Sequence, residues 1–215
     1  AKHPSVGFVA IADKDPARAQ ALAREAGAKV HSTHNFAMIE RPEVHTVFVS
    51  TPEGEHAAPV IRALELGKPV LVEKPIALDR EDAHRILETL KAQNGKLRLG
   101  YSRRFKESYL RAKEQMIQAR LGRVIGGLAR VYNSRAQAFS ILKRDPHATP
   151  VVDVLTYYVD LVCWLMEGNP PVEVVARGQH GIFRDAGYGA HDVTWALVTF
   201  AVGAVMCFGV SYALP

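Results

Sequence analysis

The chain has 215 residues, 48% apolar and 23% charged, with a net charge of +5, an ordinary globular composition and enough length for one domain or two small ones. No apolar run reaches the roughly 20 residues that cross a bilayer, so no membrane partner is expected. The basic residues are scattered and mostly sit near acids, as in Arg80-Glu81-Asp82, with one local cluster of Arg103, Arg104 and Lys106 beside Tyr101 and Phe105. A nucleic-acid binder concentrates such charge on one face. No nucleic-acid partner is therefore expected, and an anionic ligand such as a dinucleotide pyrophosphate is the more economical use of mild positive charge.

Cys163 and Cys207 both lie in apolar segments. They read as buried free thiols, which suits a reducing, cytoplasmic compartment. No spacing suggests a metal site, and no signal or transit segment is read at the start. Ala1 is not a start methionine, and the chain opens inside what reads as a helix end, which is taken for a truncated N-terminus.

In chain order, 6–12 (VGFVAIA) is a β-branched run ending at Asp13, the pattern of a buried strand with an acid at its carboxyl end. Pro16 opens an alanine-rich helix over 17–26, stopped by Gly27. A short helix over 33–40 follows, then a strand over 45–50 closed by Thr51-Pro52. A helix over 55–66 is stopped by Gly67, and 69–72 (PVLV) is the next strand. Asp79 caps a helix over 79–93, with Asp82 in the capping-box region, and 96–101 is a strand. Strands alternating with helices predict βαβ units and a parallel sheet with helices on both faces.

After a helix over 108–119 the pattern changes. An extended segment over 122–135, a loop over 136–150 and a helix over 151–166 precede strands over 172–179, 192–202 and 204–212, read as antiparallel. Val202-Gly203-Ala204 reads as a tight hairpin turn. The fold class is thus α/β, a doubly wound parallel sheet, followed by an α+β domain. The boundary falls near 120–122, with domains over 1–120 and 121–215.

Four places carry chemistry. Asp13, at a strand end, can accept hydrogen bonds from the adenine ribose hydroxyls and would repel a 2′-phosphate, which favours NAD over NADP; Lys14 beside it leaves NADP open. The alternative is an N-cap for the Pro16 helix. The G-x-G-x-x-G turn expected about 20 residues upstream is absent. Ser50, Thr51 and Pro52 follow a strand, at the sheet end where ligands sit. There hydroxyls and amides can meet a ribose or phosphate, and His56 can bond a cofactor or cap the next helix.

Glu73-Lys74-Pro75 directly follows a buried strand. Two charges between VLV and PIAL are costly unless paired or functional, the plain alternative being a surface ion pair. Beside a cationic nicotinamide ring the Lys74 ammonium would be destabilised, which readies it to orient a substrate hydroxyl and shift its proton. Pro75 fixes the backbone, a cis bond being one means. Finally, Asp153, Tyr157 and Asp160 stand at i, i+4 and i+7, which puts all three on one helical face. An aromatic packed into a core is the ordinary reading of Tyr157, with Tyr158 next to it. His191, Trp164 and Trp195 read as structural, and His147 as a plain loop histidine with substrate binding as the alternative.

The run PEVHTVFVSTPEGEHAAPVIRALELGKPVLVEKPIAL resembles the strand, Thr-Pro turn, helix and Glu-Lys-Pro strand end of the glucose-fructose oxidoreductase / inositol dehydrogenase family. AIADKDPARAQALAREAG resembles that family's second strand and helix, and LGYSRRF its sixth strand and the start of the linking helix. The resemblance covers nearly the whole chain. It implies a Rossmann-type domain lacking its first strand and Gly-rich loop, and a second domain whose mostly antiparallel open sheet is incomplete at its C-terminal end.

It further implies that Glu73 and Lys74 face the nicotinamide, and that Tyr101 and Arg104 lie near cofactor and substrate. Asp153, Tyr157 and Asp160 would match the second catalytic element, with Tyr157 where His is commoner. The implied reaction is hydride transfer between NAD, or NADP, and a carbinol carbon of a sugar, cyclitol or related polyol. Lys74 and Tyr157 would manage the hydroxyl proton while Asp153 positions the substrate. The implied assembly is a homo-oligomer, dimer or tetramer, through the open sheet. An NAD-dependent glycosidase on the same scaffold and a non-catalytic cofactor-binding regulator are the alternatives.

Overall fold

Alanine-rich and β-branched runs alternate through the first hundred residues, and each forms the element its composition favours. The structure, a computed structural model, describes residues 3–215; the helix end read at Ala1 lies outside them. The chain divides into two units, one ending at Gly100 and the other running from Tyr101 to Pro215.

In the first unit β1 (Ala10–Ala12) leads into α1 (Pro16–Ala26). Asp15 caps α1, its carboxylate accepting from the amides of Ala17 and Arg18, and Gly27 ends it in the left-handed region at φ 64°. β2 (Val30–Ser32), which had no clear signal in the sequence, pairs with β1 in parallel. α2 (Asn35–Ile39) packs against β1 and against α3 (Ala57–Glu65). Lys68 fastens the end of α2, donating to the carbonyls of Ile39 and Arg41 at 2.6 and 2.7 Å.

β3 (Val47–Val49), β4 (Val70–Val72) and β5 (Leu97–Leu99) form a second parallel sheet in that order. Among the described residues the two sheets do not pair with each other. α3 and α4 (Arg80–Ala92) cover one face of this sheet, where Val47, Val49, Val70 and Val72 meet Val60, Ala63, Leu64 and Ile86, all buried. The other face does not follow the expectation of burial on both sides: Phe48, between two buried valines, is 74% exposed. The reason is geometric, since alternate side chains of a strand point to opposite faces and α3 and α4 lie on the same one.

In the second unit α5 (Glu107–Ile117) precedes the long strand β6 (Gly126–Ser134). The expected loop over 136–150 is mostly helix, α6 (Arg135–Arg144). Ser134 ends β6 and caps α6, accepting from the Gln137 amide, so strand passes into helix without a turn. The predicted helix over 151–166 opens on a wide π-helical turn (Val151–Leu155) and continues as α7 (Thr156–Leu165). β7 (Pro171–Gln179), the short α8 (Ile182–Asp185), β8 (Val193–Phe200) and β9 (Val205–Leu214) complete it. Gly203, at φ 81°, turns β8 into β9, and the Phe200 amide bonds the Ala204 carbonyl across the turn.

The sheet order is β6-β9-β8-β7. β7, β8 and β9 are antiparallel neighbours as expected, while β6 adds to β9 in parallel. Met206, Phe208, Val210 and Tyr212 of β9 are buried on the face that α6 and the π-helical turn cover. The opposite face is open. Leu128, Cys207, Leu197 and Val175 form one row across all four strands, with Arg130, Gly209, Trp195 and Arg177 in the next. Trp195 lies against Gly209, where a β-carbon would collide with the indole.

The division between units comes earlier than the 120/121 boundary read from the pattern. Residues 101–117 pack with α7: Arg104 bonds Asp160, and Lys113 donates to the Trp164 carbonyl at 2.6 Å. The change in strand and helix pattern near 120 marks the entry to β6, not the edge of a packed unit.

Candidate active site

Three strand ends of the first unit carry the residues singled out from the sequence. At the end of β1, Asp13 is not the cap of α1, a role Asp15 holds. Its carboxylate accepts from the Asp15 amide at 2.9 Å and stands 3.2 Å from the Arg18 guanidinium. Lys14 pairs instead with Glu55.

At the end of β3, Ser50 and Pro52 are exposed, while the Thr51 hydroxyl is buried with no hydrogen-bond partner among the described residues. His56 is 1% exposed. Its Nδ1 lies 2.7 Å from the Pro75 carbonyl oxygen and its Nε2 3.0 Å from that of Thr51. Both oxygens are acceptors, so a neutral ring can donate to one and a protonated ring to both. His56 thus braces the turn after β3 against the turn after β4, and it does not cap α3.

At the end of β4, the Lys74–Pro75 peptide is cis. Pro75 is buried, Lys74 half-buried and Glu73 exposed. The exposure of Glu73 corrects the expectation of a costly charge pair at a buried strand end, because the strand surfaces one residue after Val72. The Glu73 side chain lies over Gly100, where a β-carbon would stand 3.1 Å from Oε2.

In the second unit the residues before α5 converge on α7. The Tyr101 hydroxyl and Thr156 Oγ1 share a hydrogen bond at 2.7 Å. The Tyr101 ring meets Tyr157 edge-on, with centroids 6.1 Å apart. The Arg103 guanidinium lies over both Tyr157 and Tyr158, 5.2 and 4.5 Å from their centroids. Arg104 grips Asp160 with two N–H groups, Nε to Oδ2 at 2.8 Å. That hydrogen bond, against the opposing cost of burial and helped by the charge of Asp160, raises the guanidinium above its ordinary value. Arg104, expected near the cofactor, therefore has a structural partner.

Asp153, Tyr157 and Asp160 do not share one set of neighbours. Tyr157 and Asp160 lie on α7 and meet residues 101–104. Asp153 lies in the π-helical turn and accepts from the Tyr212 hydroxyl of β9 at 2.7 Å. The wider winding of that turn breaks the regular 3.6-residue advance on which the one-face expectation rested. Thr156, Arg103 and Tyr212 are the contacts that the sequence did not announce. For Tyr212 a signal existed: a tyrosine on the buried face of a strand needs a partner for its hydroxyl.

Among the described residues, no helix is long and apolar enough to cross a membrane, and no group of three or more His, Cys, Asp or Glu is placed to hold a metal ion.

Two family models match. One, described as an oxidoreductase family with an NAD-binding Rossmann fold, covers residues 1–101, and the GFO/IDH/MocA C-terminal domain covers 109–215. An inositol 2-dehydrogenase of Acidothermus cellulolyticus is 32% identical over 201 residues, 92% of this chain and 56% of its own length. The scyllo-inositol 2-dehydrogenase (NAD(+)) of Bacillus subtilis is 31% identical over 122 residues, 57% of this chain and 36% of its own length. The chain thus spans about half the length, or less, of these curated relatives. The crystal structure of a putative myo-inositol dehydrogenase from Sinorhizobium meliloti superposes with a TM-score of 0.82 at 26% identity, over 99% of this chain and 63% of that one.

Proposed function

The chain belongs to the Gfo/Idh/MocA oxidoreductase family, and from that membership we propose that the protein is a nicotinamide-dependent dehydrogenase of a cyclitol or related polyol. The observation that carries this reading is the pair of turns braced by His56. One presents a buried Thr51 hydroxyl without a hydrogen-bond partner among the described residues, the kind of group a bound ligand satisfies. The other presents Lys74 at a sheet end of the sort where ligands bind in doubly wound folds.

Ser50, Thr51, Pro52 and Glu73 would hold the cofactor. NAD is preferred to NADP because Asp13 does not cap α1, so its carboxylate can accept from ribose hydroxyls and would repel a 2′-phosphate. When bound, the nicotinamide supplies a hydride acceptor at its C4. This chain's residues orient the substrate and handle the proton. Asp153 accepts hydrogen bonds from substrate hydroxyls, and Lys74 and Tyr157 move the proton of the carbinol being oxidised. Arg104 holds Asp160 and so keeps Tyr101 and Tyr157 in place. The two free cysteines suit a reducing cytoplasm. The open sheet face, with its apolar row, is proposed as the contact between copies in a homodimer or tetramer.

The test is NADH titration of the intact protein, followed by turnover on a panel of inositols and sugars. Lys74→Met should cut turnover by roughly 10²- to 10⁴-fold and leave NADH affinity within a factor of a few. Near-normal turnover in that variant removes Lys74 from the chemistry.

A further inference from the structure

Two local irregularities of the second unit meet at one side chain. The first is the π-helical turn at Val151–Leu155, which carries Asp153. The second is a shift of register between β6 and β9. Tyr132 pairs with Ser211 and Ser134 with Leu214, so Tyr212 and Ala213 together stand opposite Asn133. Wide helical turns and strand bulges each cost regular hydrogen bonds, and both recur beside functional sites, where they re-aim a side chain.

Here they bring Tyr212 and Asp153 together. Tyr212 follows Met206, Phe208 and Val210 on the buried face of β9, and it is 1% exposed. Its hydroxyl donates to Asp153 Oδ2 at 2.7 Å. We propose that Tyr212 is a positioning residue that sets the Asp153 carboxylate for substrate; the inference rests on the substrate role given to Asp153 above.

The physical argument is one of geometry and donor strength. A carboxylate on a short side chain can rotate about two bonds. A hydrogen bond from a rigid, buried phenol to Oδ2 fixes its plane and thereby aims its second oxygen. The phenol is anchored by its burial on the covered face of β9, so it does not follow the carboxylate if the turn moves. Burial, then the bond to Asp153 and its charge, hold the phenol well above its ordinary ionisation range, against the smaller opposing pull of Asn133. Tyr212 therefore remains a donor at any working pH. The contact is also specific to the hydroxyl, because phenylalanine keeps the ring and its packing and loses only the bond.

The experiment is a double-mutant cycle on the intact protein, with myo-inositol and scyllo-inositol as substrates. Tyr212→Phe should lower kcat/KM by roughly 10- to 100-fold, the cost of a misplaced group, with the NADH dissociation constant unchanged. In an Asp153→Asn background the same change should have little further effect, because the group through which Tyr212 acts has been altered. A merely structural role would show the same loss in both backgrounds, and that result overturns the proposal, as does near-normal kcat/KM in Tyr212→Phe. Should Tyr212→Phe not fold, Tyr212→Leu, which also removes the hydroxyl, serves in its place. A loss confined to the Asp153 background supports the proposal, and an equal loss in both overturns it. If the unmodified protein oxidises neither inositol nor any other polyol, the dehydrogenase reading fails and the positioning role falls with it. An active protein with an additive cycle removes only the positioning role.

Discussion

The buried His56 ring holds the Pro75 carbonyl oxygen 2.7 Å from its Nδ1, joining two strand-end turns 19 residues apart in sequence. Its other nitrogen faces the Thr51 carbonyl, so removal of the ring takes away the donor that these carbonyls draw on and leaves a cavity beside them. We expect His56→Ala to cost about 2–4 kcal/mol in urea unfolding, through the lost donor and the cavity together. It should also weaken NADH binding, because both turns proposed to hold the cofactor lose their brace. Unchanged stability with unchanged NADH affinity would show that neither turn depends on the ring.

Arg104 and Asp160 make a different kind of contact. Two parallel N–H groups meet a carboxylate whose side chain is only 9% exposed, although the arginine itself is 40% exposed. A lysine offers a single point charge in place of that fork. Arg104→Lys should therefore lose about 1–2 kcal/mol of stability, a figure kept low because water screens the outer side of the guanidinium. If Arg104 also touched the cofactor, Arg104→Lys would raise the NADH dissociation constant in proportion. We expect that constant to be unchanged, and a rise of more than about tenfold, 1.4 kcal/mol, would return Arg104 to the cofactor site.

These contacts show which parts of the molecule were legible in its sequence. Gly27, Asp79 and Gly203 marked boundaries correctly, because caps and turns depend on local backbone chemistry. α6 was missed although Ser134 and Gln137 carry a capping signature and Ala138, Ile141 and Leu142 share a buried face. The strand before it runs into the helix with no Gly or Pro between, so the change of period had no punctuation. The π-helical turn was invisible for a different reason. A wide turn of this kind, which here carries Asp153 to its bond with Tyr212, leaves no mark in apolar periodicity. The candidate site was legible where it follows strand ends and obscure where it depends on a pair 59 residues apart.

The Tyr212 phenol also predicts how stability changes at high pH. In the unfolded chain it ionises near its ordinary value of 10.0, whereas the fold holds it higher, chiefly by burial and then by the bond to Asp153. The folded state thus keeps a proton that the unfolded state gives up. The stability this confers is full below about pH 10 and is lost as pH rises toward the folded value, with a slope near 1.4 kcal/mol per pH unit. Cys163, raised from 9.0 mainly by burial and then by Asp160, acts in the same direction from a lower pH. In a Cys163→Ala background, the unfolding free energies of the protein with and without Tyr212→Phe should therefore draw closer as pH rises from about 9 to about 11. A constant gap across that range would mean that the phenol ionises alike in both states.

The open face of the second sheet predicts the assembly. Leu197 is 50% exposed and Leu128 61% exposed in the row that also holds Cys207 and Val175, and Trp195 stands in the next row at 40%. A contiguous apolar surface of this kind on a sheet is unfavourable in water and favours burial against another surface. Charges flank it unevenly, with Arg130 and Arg177 in the Trp195 row and Glu173 in the row beyond Leu197, so a second copy turned end for end could place acid against base. Leu197→Arg puts a charge at the centre of the apolar row while leaving the buried face of β8 untouched. We expect the intact protein to sediment as a dimer or tetramer and the Leu197→Arg variant as a monomer with a melting temperature lower by the lost association. An unmodified protein that is monomeric at micromolar concentration would show that this face meets something other than a second copy. An oligomer that survives Leu197→Arg would place the contact elsewhere on the molecule.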